Sequence, residues 1–174
     1  MLLISSNQFV QIRQYDSNKP IGQQWPKIGD NINSQVVQNN FGWVVSLNSD
    51  GTIVAIGASS DDTIGSNAGQ ARVYQNINNT WTQIGQDING EQNQEDLGRG
   101  LSLNSTGNII AIGAPSSNSI AAQLPGKVRI YRLIGNIWTK IGADIPSGYT
   151  TYDAFGSSVS INSTGNIVAV GAPY

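Results

Sequence analysis

The side chains that could do acid–base or metal chemistry in this 174-residue chain are its carboxylates, because it holds no histidine and no cysteine. Thiol nucleophiles, His-based triads, Cys/His zinc sites and disulfides are therefore excluded. Two carboxylate groupings stand out: the adjacent pair Asp61-Asp62, and the stretch Glu91, Glu95 and Asp96, with Asp153 in a similar place further along. Asp61-Asp62 could be a metal pair or an acid/base pair. A glycosidase-like pair needs two carboxylates about 5–10 Å apart in a pocket. Calcium wants about six to eight oxygens, several of them from carboxylates. Carboxylate or Ser–Lys chemistry stays formally open. Both groupings also read as solvated loops, and Ser117-Asn118 stands where Asp61-Asp62 would recur. The reading carried forward is a loop rim with Asp61, Asp62, Glu95, Asp96 and Asp153 as ligand-binding candidates. No catalytic residue, metal or cofactor is expected.

Composition narrows the partners. There are 9 basic and 11 acidic residues, a net charge of −2, and 11% of residues are charged, against about 25% in ordinary domains. No polybasic run exists to neutralise phosphates, so nucleic acid is not an expected partner. No apolar run approaches the ~18 residues of a membrane helix. The N-terminal Met1-Leu2-Leu3-Ile4-Ser5-Ser6 has no basic region, so no signal peptide is expected there.

Stepping along the chain shows what must position these residues: an internal repeat. The block from Phe41-Gly42 to Gly57-Ala58 recurs from Leu97-Gly98 to Gly113-Ala114-Pro115 and from Phe155-Gly156 to Gly171-Ala172-Pro173. A second block, Arg72-Val73-Tyr74 followed by Trp81-Thr82-Gln83-Ile84-Gly85, recurs as Arg129-Ile130-Tyr131 and Trp138-Thr139-Lys140-Ile141-Gly142. The N-terminus carries only this second block, with Arg13-Gln14-Tyr15 aligned to Arg72-Val73-Tyr74, and Trp25-Pro26-Lys27-Ile28-Gly29 aligned to the Trp stretch. The aligned arginines read as packing contacts between repeats or along their own stems.

Each unit predicts four strands. Val45 and Leu47 alternate with Val44 and Ser46 in the first, a period of two. Asn48-Ser49-Asp50-Gly51, Asn104-Ser105-Thr106-Gly107 and Asn162-Ser163-Thr164-Gly165 supply hairpin turns. The last two match glycosylation triplets, as does Asn78-Asn79-Thr80, but polar turns account for all three. The second strand, Ile53 to Ala58 and its copies, is apolar or small throughout, as a strand buried on both faces must be. Almost no helix is expected.

Such units are the signature of an all-β propeller built of four-stranded antiparallel blades. The repeated Trp81 and Trp138 then cover blade-to-blade seams, each indole N–H needing a partner. The Phe-Gly and Gly-Ala-Pro signatures, with Phe41, Gly42, Phe155 and Gly156 among their repeat positions, resemble the FG-GAP repeat of integrin α heads and other extracellular propellers. The resemblance implies a propeller in an extracellular or surface-exposed protein. Many members bind calcium in a loop of the type D-x-[DN]-x-[DN]-G. Here Asn48-Ser49-Asp50-Gly51 offers one carboxylate and the other copies none, so calcium binding is not expected.

The chain divides into a partial blade with outer strands (1–40), two blades (41–96 and 97–154) and a partial blade with inner strands (155–174) that complements the first. That makes about three blade equivalents, below the usual four to eight. The chain is then either part of a larger ring or a protomer that completes a ring with copies of itself; self-association is the expectation, with two chains giving six blades. The leading functional expectation is a non-catalytic module binding a protein or glycan through its end loops. The alternatives are a structural shell or surface component, and a propeller glycosidase-like enzyme.

Overall fold

A computed structural model describes residues 8–37, 39–116, 125–148 and 153–173. The N-terminal hexapeptide and Ser117-Asn118, both read above, lie outside the described residues.

The chain is all-β, and no helix occurs among the described residues. None is therefore long and apolar enough to cross a membrane. The first sheet is a short pair, β1 (Phe9–Val10) with β2 (Ile32–Asn33). Unit one follows as β3 (Phe41–Leu47), β4 (Ile53–Ala58), β5 (Gln70–Ile77), β6 (Thr80–Gln83) and β7 (Ile88–Asn89). Unit two repeats it as β8 (Gly100–Leu103), β9 (Ile109–Ala114), β10 (Lys127–Ile134), β11 (Ile137–Lys140) and β12 (Ile145–Pro146). A final hairpin pairs β13 (Ser158–Ile161) with β14 (Val168–Gly171). All strand pairs within these sheets are antiparallel.

Each unit is a meander whose fourth strand is broken in two. In unit one, β6 pairs the outer half of β5 and β7 pairs its start. The Gly85 turn, at φ 71°, lies between them. Unit two does the same at Gly142. The sequence pattern predicts the fourth strand of unit one only as Trp81 to Ile84; β7 and β12, two residues each beyond a glycine turn, are too short to show a period of two.

The first hairpin of each unit is locked by its asparagine. Asn48 Oδ1 accepts the Ile53 amide at 2.9 Å, Asn104 Oδ1 that of Ile109 at 3.0 Å, and Asn162 Oδ1 that of Ile167 at 3.0 Å. The glycines Gly51, Gly107 and Gly165 sit at φ 71–78°, where a Cβ is disfavoured. Asn104 is buried by this role, which suits the turn reading and not a glycan anchor.

Three apolar clusters join the sheets. Val10, Ile12 and Ile32 pack on Val54, Ile56 and Tyr74 of unit one. Ala55, Val73 and Ile88 of unit one pack on Leu101, Ile110, Ile112 and Trp138 of unit two. Ile109, Ala111 and Val128 of unit two meet Ile161, Val168 and Val170 of the final hairpin. Strands β4 and β9 are accordingly buried on both faces, whereas β14 is only half-buried, through Val168 and Val170.

The seams repeat residue by residue. Trp81 Nε1 donates to the Ile28 carbonyl and Trp138 Nε1 to the Ile84 carbonyl, each at 3.0 Å. Asn79 and Asn136, both at positive φ, accept the Gly29 and Gly85 amides through Oδ1. At the hairpin tips the Ser49 amide and hydroxyl donate to the Ser105 carbonyl, and those of Ser105 to the Ser163 carbonyl. Gly98 backs onto Gly57, and Gly156 onto Gly113, so closely that a methyl at Gly57 or Gly113 would overlap a backbone carbonyl. These glycines, small for that reason, let neighbouring backbones touch.

Register corrects one alignment. Val10 pairs Ile32 as Ala71 pairs Ile88 and Val128 pairs Ile145. Gln11 therefore occupies the position of Arg72 and Arg129, and Arg13 that of Tyr74 and Tyr131. The Arg-x-Tyr match at residues 13–15 is two residues out of step. Gln11 keeps the polar partner of that position: its Nε2 donates to Asn31 Oδ1 at 3.1 Å, where Arg72 meets Asp87 and Arg129 meets Asp144.

Candidate functional site

The loops after β4 and after β7 meet at one end of unit one. Phe41 pairs Ala58 at that end, and Gly42, at φ 88°, begins the irregularity that shifts register before Val45. The Gln94 amide donates to the Ser66 carbonyl at 2.8 Å, and the Asp96 and Leu97 amides to those of Asn67 and Ala68. The two loops are thus one surface, with Asp62, Thr63, Ile64, Ser66, Gln92 and Asn93 exposed. Arg99 lies over the Trp43 ring, 5.3 Å from its centroid, next to this surface. A half-exposed Trp beneath a guanidinium is a stacking face for a flat or polar ligand.

Of the five rim carboxylates, the structure buries four. Asp61 accepts the Thr63 amide and Asn39 Nδ2, fixing the turn after β4. Asp62 is exposed and accepts the Asn67 amide at 2.6 Å. Asp96 is buried beside Glu95 at φ 55°. Asp153 is buried and accepts the Phe155 amide at 3.0 Å, as Asn39 does for Phe41. Asp61 and Asp62 thus hold one loop, while Glu95 and Asp96 lie in the other. The expected open acidic rim is narrowed to Asp62 and Glu91. The reason is that a tight loop has more amides than its own strands can satisfy, and short carboxylates turn inward to meet them.

Glu95 is the centre of a buried ion network. Its Oε1 lies 2.6 Å from both Lys127 Nζ and Arg129 Nη2, and its Oε2 accepts the Glu91 amide. Arg129 also reaches Asp144 at 3.1 Å and Glu91 at 2.9 Å, and Lys140 meets Asp144 at 2.9 Å. Burial pushes the Glu95 carboxyl up, but hydrogen bonds from Lys127 and Arg129 outweigh it and hold the group below its ordinary value. Burial likewise acts to lower Arg129, and Glu95 more than restores it. Both partners thus stay charged. Unit one has the simpler Arg72–Asp87 pair, with Asn39 in place of Glu95.

No group of three or more potential metal ligands occurs among the described residues. Asp50 spends its carboxylate on the Thr52 amide and hydroxyl, which hold it below its ordinary value.

No family model matches the chain, and no curated protein matches it. The site must therefore be read from its own geometry. Sequence reasoning did not single out Trp43, Arg99, Ile64, Asn93 or Gln94. Trp43 alone offered a signal, as the one Trp outside the repeat position.

Proposed function

We propose that the chain is a non-catalytic β-propeller module of FG-GAP type, whose units are blades and whose end loops bind a protein or glycan. The observation that carries this is the recurrence of one seam: the same Trp, Ser and Gly contacts join successive sheets, as rotation about a common axis requires. Loops at the end of such a stack are held from both sides and vary freely in sequence. Trp43 with Arg99 supplies a stacking face, and Asp62, Ser66, Asn93 and Gln94 supply hydrogen-bonding groups in the two joined loops. That mixture suits sugar rings or a polar protein surface.

A glycan array probed with the 174-residue chain, beside a Trp43→Ala variant, tests the reading. Binding that falls at least about tenfold in the variant supports it. Hydrolysis of any arrayed glycan, abolished by Asp62→Asn, would overturn it in favour of the glycosidase-like alternative.

A further inference from the structure

Trp43, Arg99 and Ser157 occupy one repeat position, at the entry to the first strand of successive units. The chain turns there in the same way three times. Asn40, Asp96 and Ala154 stand at φ 50–58°, and Gly42, Gly98 and Gly156 at φ 87–98°. The amides of Trp43, Arg99 and Ser157 then donate back to the Asn40, Asp96 and Ala154 carbonyls at 2.9–3.2 Å. Gly98 is pressed against Gly57 on one side, and Gly100 lies against Gly156 on the other. The backbone that carries Arg99 is thus held between two sheets.

The Arg99 guanidinium is unspent. Among the described residues its side chain donates no hydrogen bond and joins no ion pair. Arg72 and Arg129, by contrast, meet Asp87 and Glu95, and Arg13 donates to the Trp25 carbonyl. Arg132 is also unpaired, but it is exposed on β10, where water satisfies it. Glu95, four residues before Arg99, is taken by Lys127, Arg129 and the Glu91 amide. What Arg99 does touch is the Trp43 ring, whose centroid lies 5.3 Å from the guanidinium carbon. A ring face attracts a cation through its quadrupole and uses none of its N–H groups. The donors of the guanidinium fork are therefore left over, on a side chain that is itself half-buried. A charged donor set, partly withdrawn from water and given no acceptor by its own chain, is a receptor for an anion.

We infer that Arg99 anchors a carboxylate of the ligand, and that this ligand is a glycan containing a uronic acid. A planar carboxylate takes two parallel N–H bonds from one guanidinium. The Trp43 ring beside it packs against the apolar face of a sugar. Asn93 and Gln94, in the loop that leads into Arg99, and Thr63 and Ser66, in the loop bonded to it, are neutral amides and hydroxyls that pair with ring hydroxyls. The exposed acids of the same loops, Asp62 and Glu91, disfavour a dense polyanion or an acid-rich peptide. That leaves single carboxylates spaced among neutral hydroxyls. The inference deepens the glycan arm of the proposed function and rests on it.

The test prints each uronic-acid glycan beside its carboxyl-reduced counterpart, in which a primary alcohol replaces the carboxylate. Neutral glycans and an oligoglutamate peptide share the slide. The 174-residue chain should bind a uronic-acid glycan at least about tenfold more tightly than its reduced form. This ratio is read on the unaltered chain and needs no variant. Raising salt from about 0.05 to about 0.5 M should weaken binding of the acid more than that of the reduced form. Arg99→Gln should bring the two forms within about twofold of each other, and Arg99→Lys should restore part of the preference, since Lys keeps the charge without the fork. Both variants should melt within about 2 °C of the parent, because Arg99 pairs with no group of the fold. Equal binding of acid and reduced forms, or an acid preference that survives Arg99→Gln, would overturn the inference and leave a glycan-binding module standing. Stronger binding of the oligoglutamate would overturn the glycan as the source of the carboxylate. Binding to no glycan at all would sink the inference together with the glycan reading it rests on.

Discussion

Glu95→Gln isolates the buried ion network from everything else in the seam. The substitution keeps size and shape but removes the charge that faces Arg129 and Lys127. Glu95 and Arg129 side chains are both fully buried, and breaking such a pair costs about 3–5 kcal/mol because the remaining charge is stranded. Arg129 keeps Glu91 at 2.9 Å and Asp144 at 3.1 Å, so the lower end, about 3 kcal/mol, applies. For a chain of this size, about 2–4 °C per kcal/mol converts that to a fall in melting temperature of about 6–12 °C. The pH dependence gives a second reading. The folded state holds the Glu95 carboxyl below its ordinary value. Near and below about pH 4.3 the unfolded chain therefore binds more protons there than the folded one. This part of the stability is complete above that pH and is lost as pH falls through the folded value. Melting curves followed by circular dichroism from acid to neutral pH check both points. Glu95→Gln should lie below the parent at neutral pH and converge with it in acid. Melting within about 2 °C of the parent at neutral pH, with an unchanged acid limb, would refute the argument.

Gly113→Ala puts a methyl into the Gly156 carbonyl and should cost at least about 1–3 kcal/mol, read by urea denaturation. Trp138→Phe loses the indole bond to Ile84 and should cost at least about 1 kcal/mol, whereas Trp25→Phe, at an exposed site, should stay within about 0.5 kcal/mol in the monomer. A chelator should leave the melting temperature unchanged; a fall of many degrees would defeat the calcium-free reading, and Asp50, Asp61 and Asp62 would be the first residues to substitute. Far-ultraviolet circular dichroism should show β-structure and no helical minimum.

The strands and turns were legible because each is set by a few adjacent residues. Asn48 and Gly51 close a hairpin on their own chemistry, and three copies of that pattern locate β3–β4, β8–β9 and β13–β14. Trp81 and Trp138 were legible as seam residues because an indole at a fixed repeat position must bury its ring and pair its N–H. The N-terminal register was not, since Arg-x-Tyr at residues 13–15 copies the letters of a strand whose hydrogen-bonded partner, not its spelling, sets the alignment. The fate of the carboxylates was hidden for a related reason. Glu95 and Arg129 are 34 residues apart, and nothing local distinguishes an acid that turns inward to a buried guanidinium from one that faces water. Trp43 and Arg99, on neighbouring sheets, meet only after stacking.

The Ser-to-Ser bonds at the hairpin tips have a consequence for cooperativity. Ser49 holds Ser105 and Ser105 holds Ser163, so each unit is tied to its neighbours and to nothing beyond them. Free energy in such an array is a sum over units and the junctions between them. Among the described residues, units one and two each have two junctions, while the β13–β14 hairpin has one. Amide exchange should therefore grade along the chain: slowest at Ile110 and Ile112 in the middle, fastest at Val168 to Gly171, where one junction must hold a whole hairpin. Adding a junction there would raise protection locally first and then, through unit two, inward.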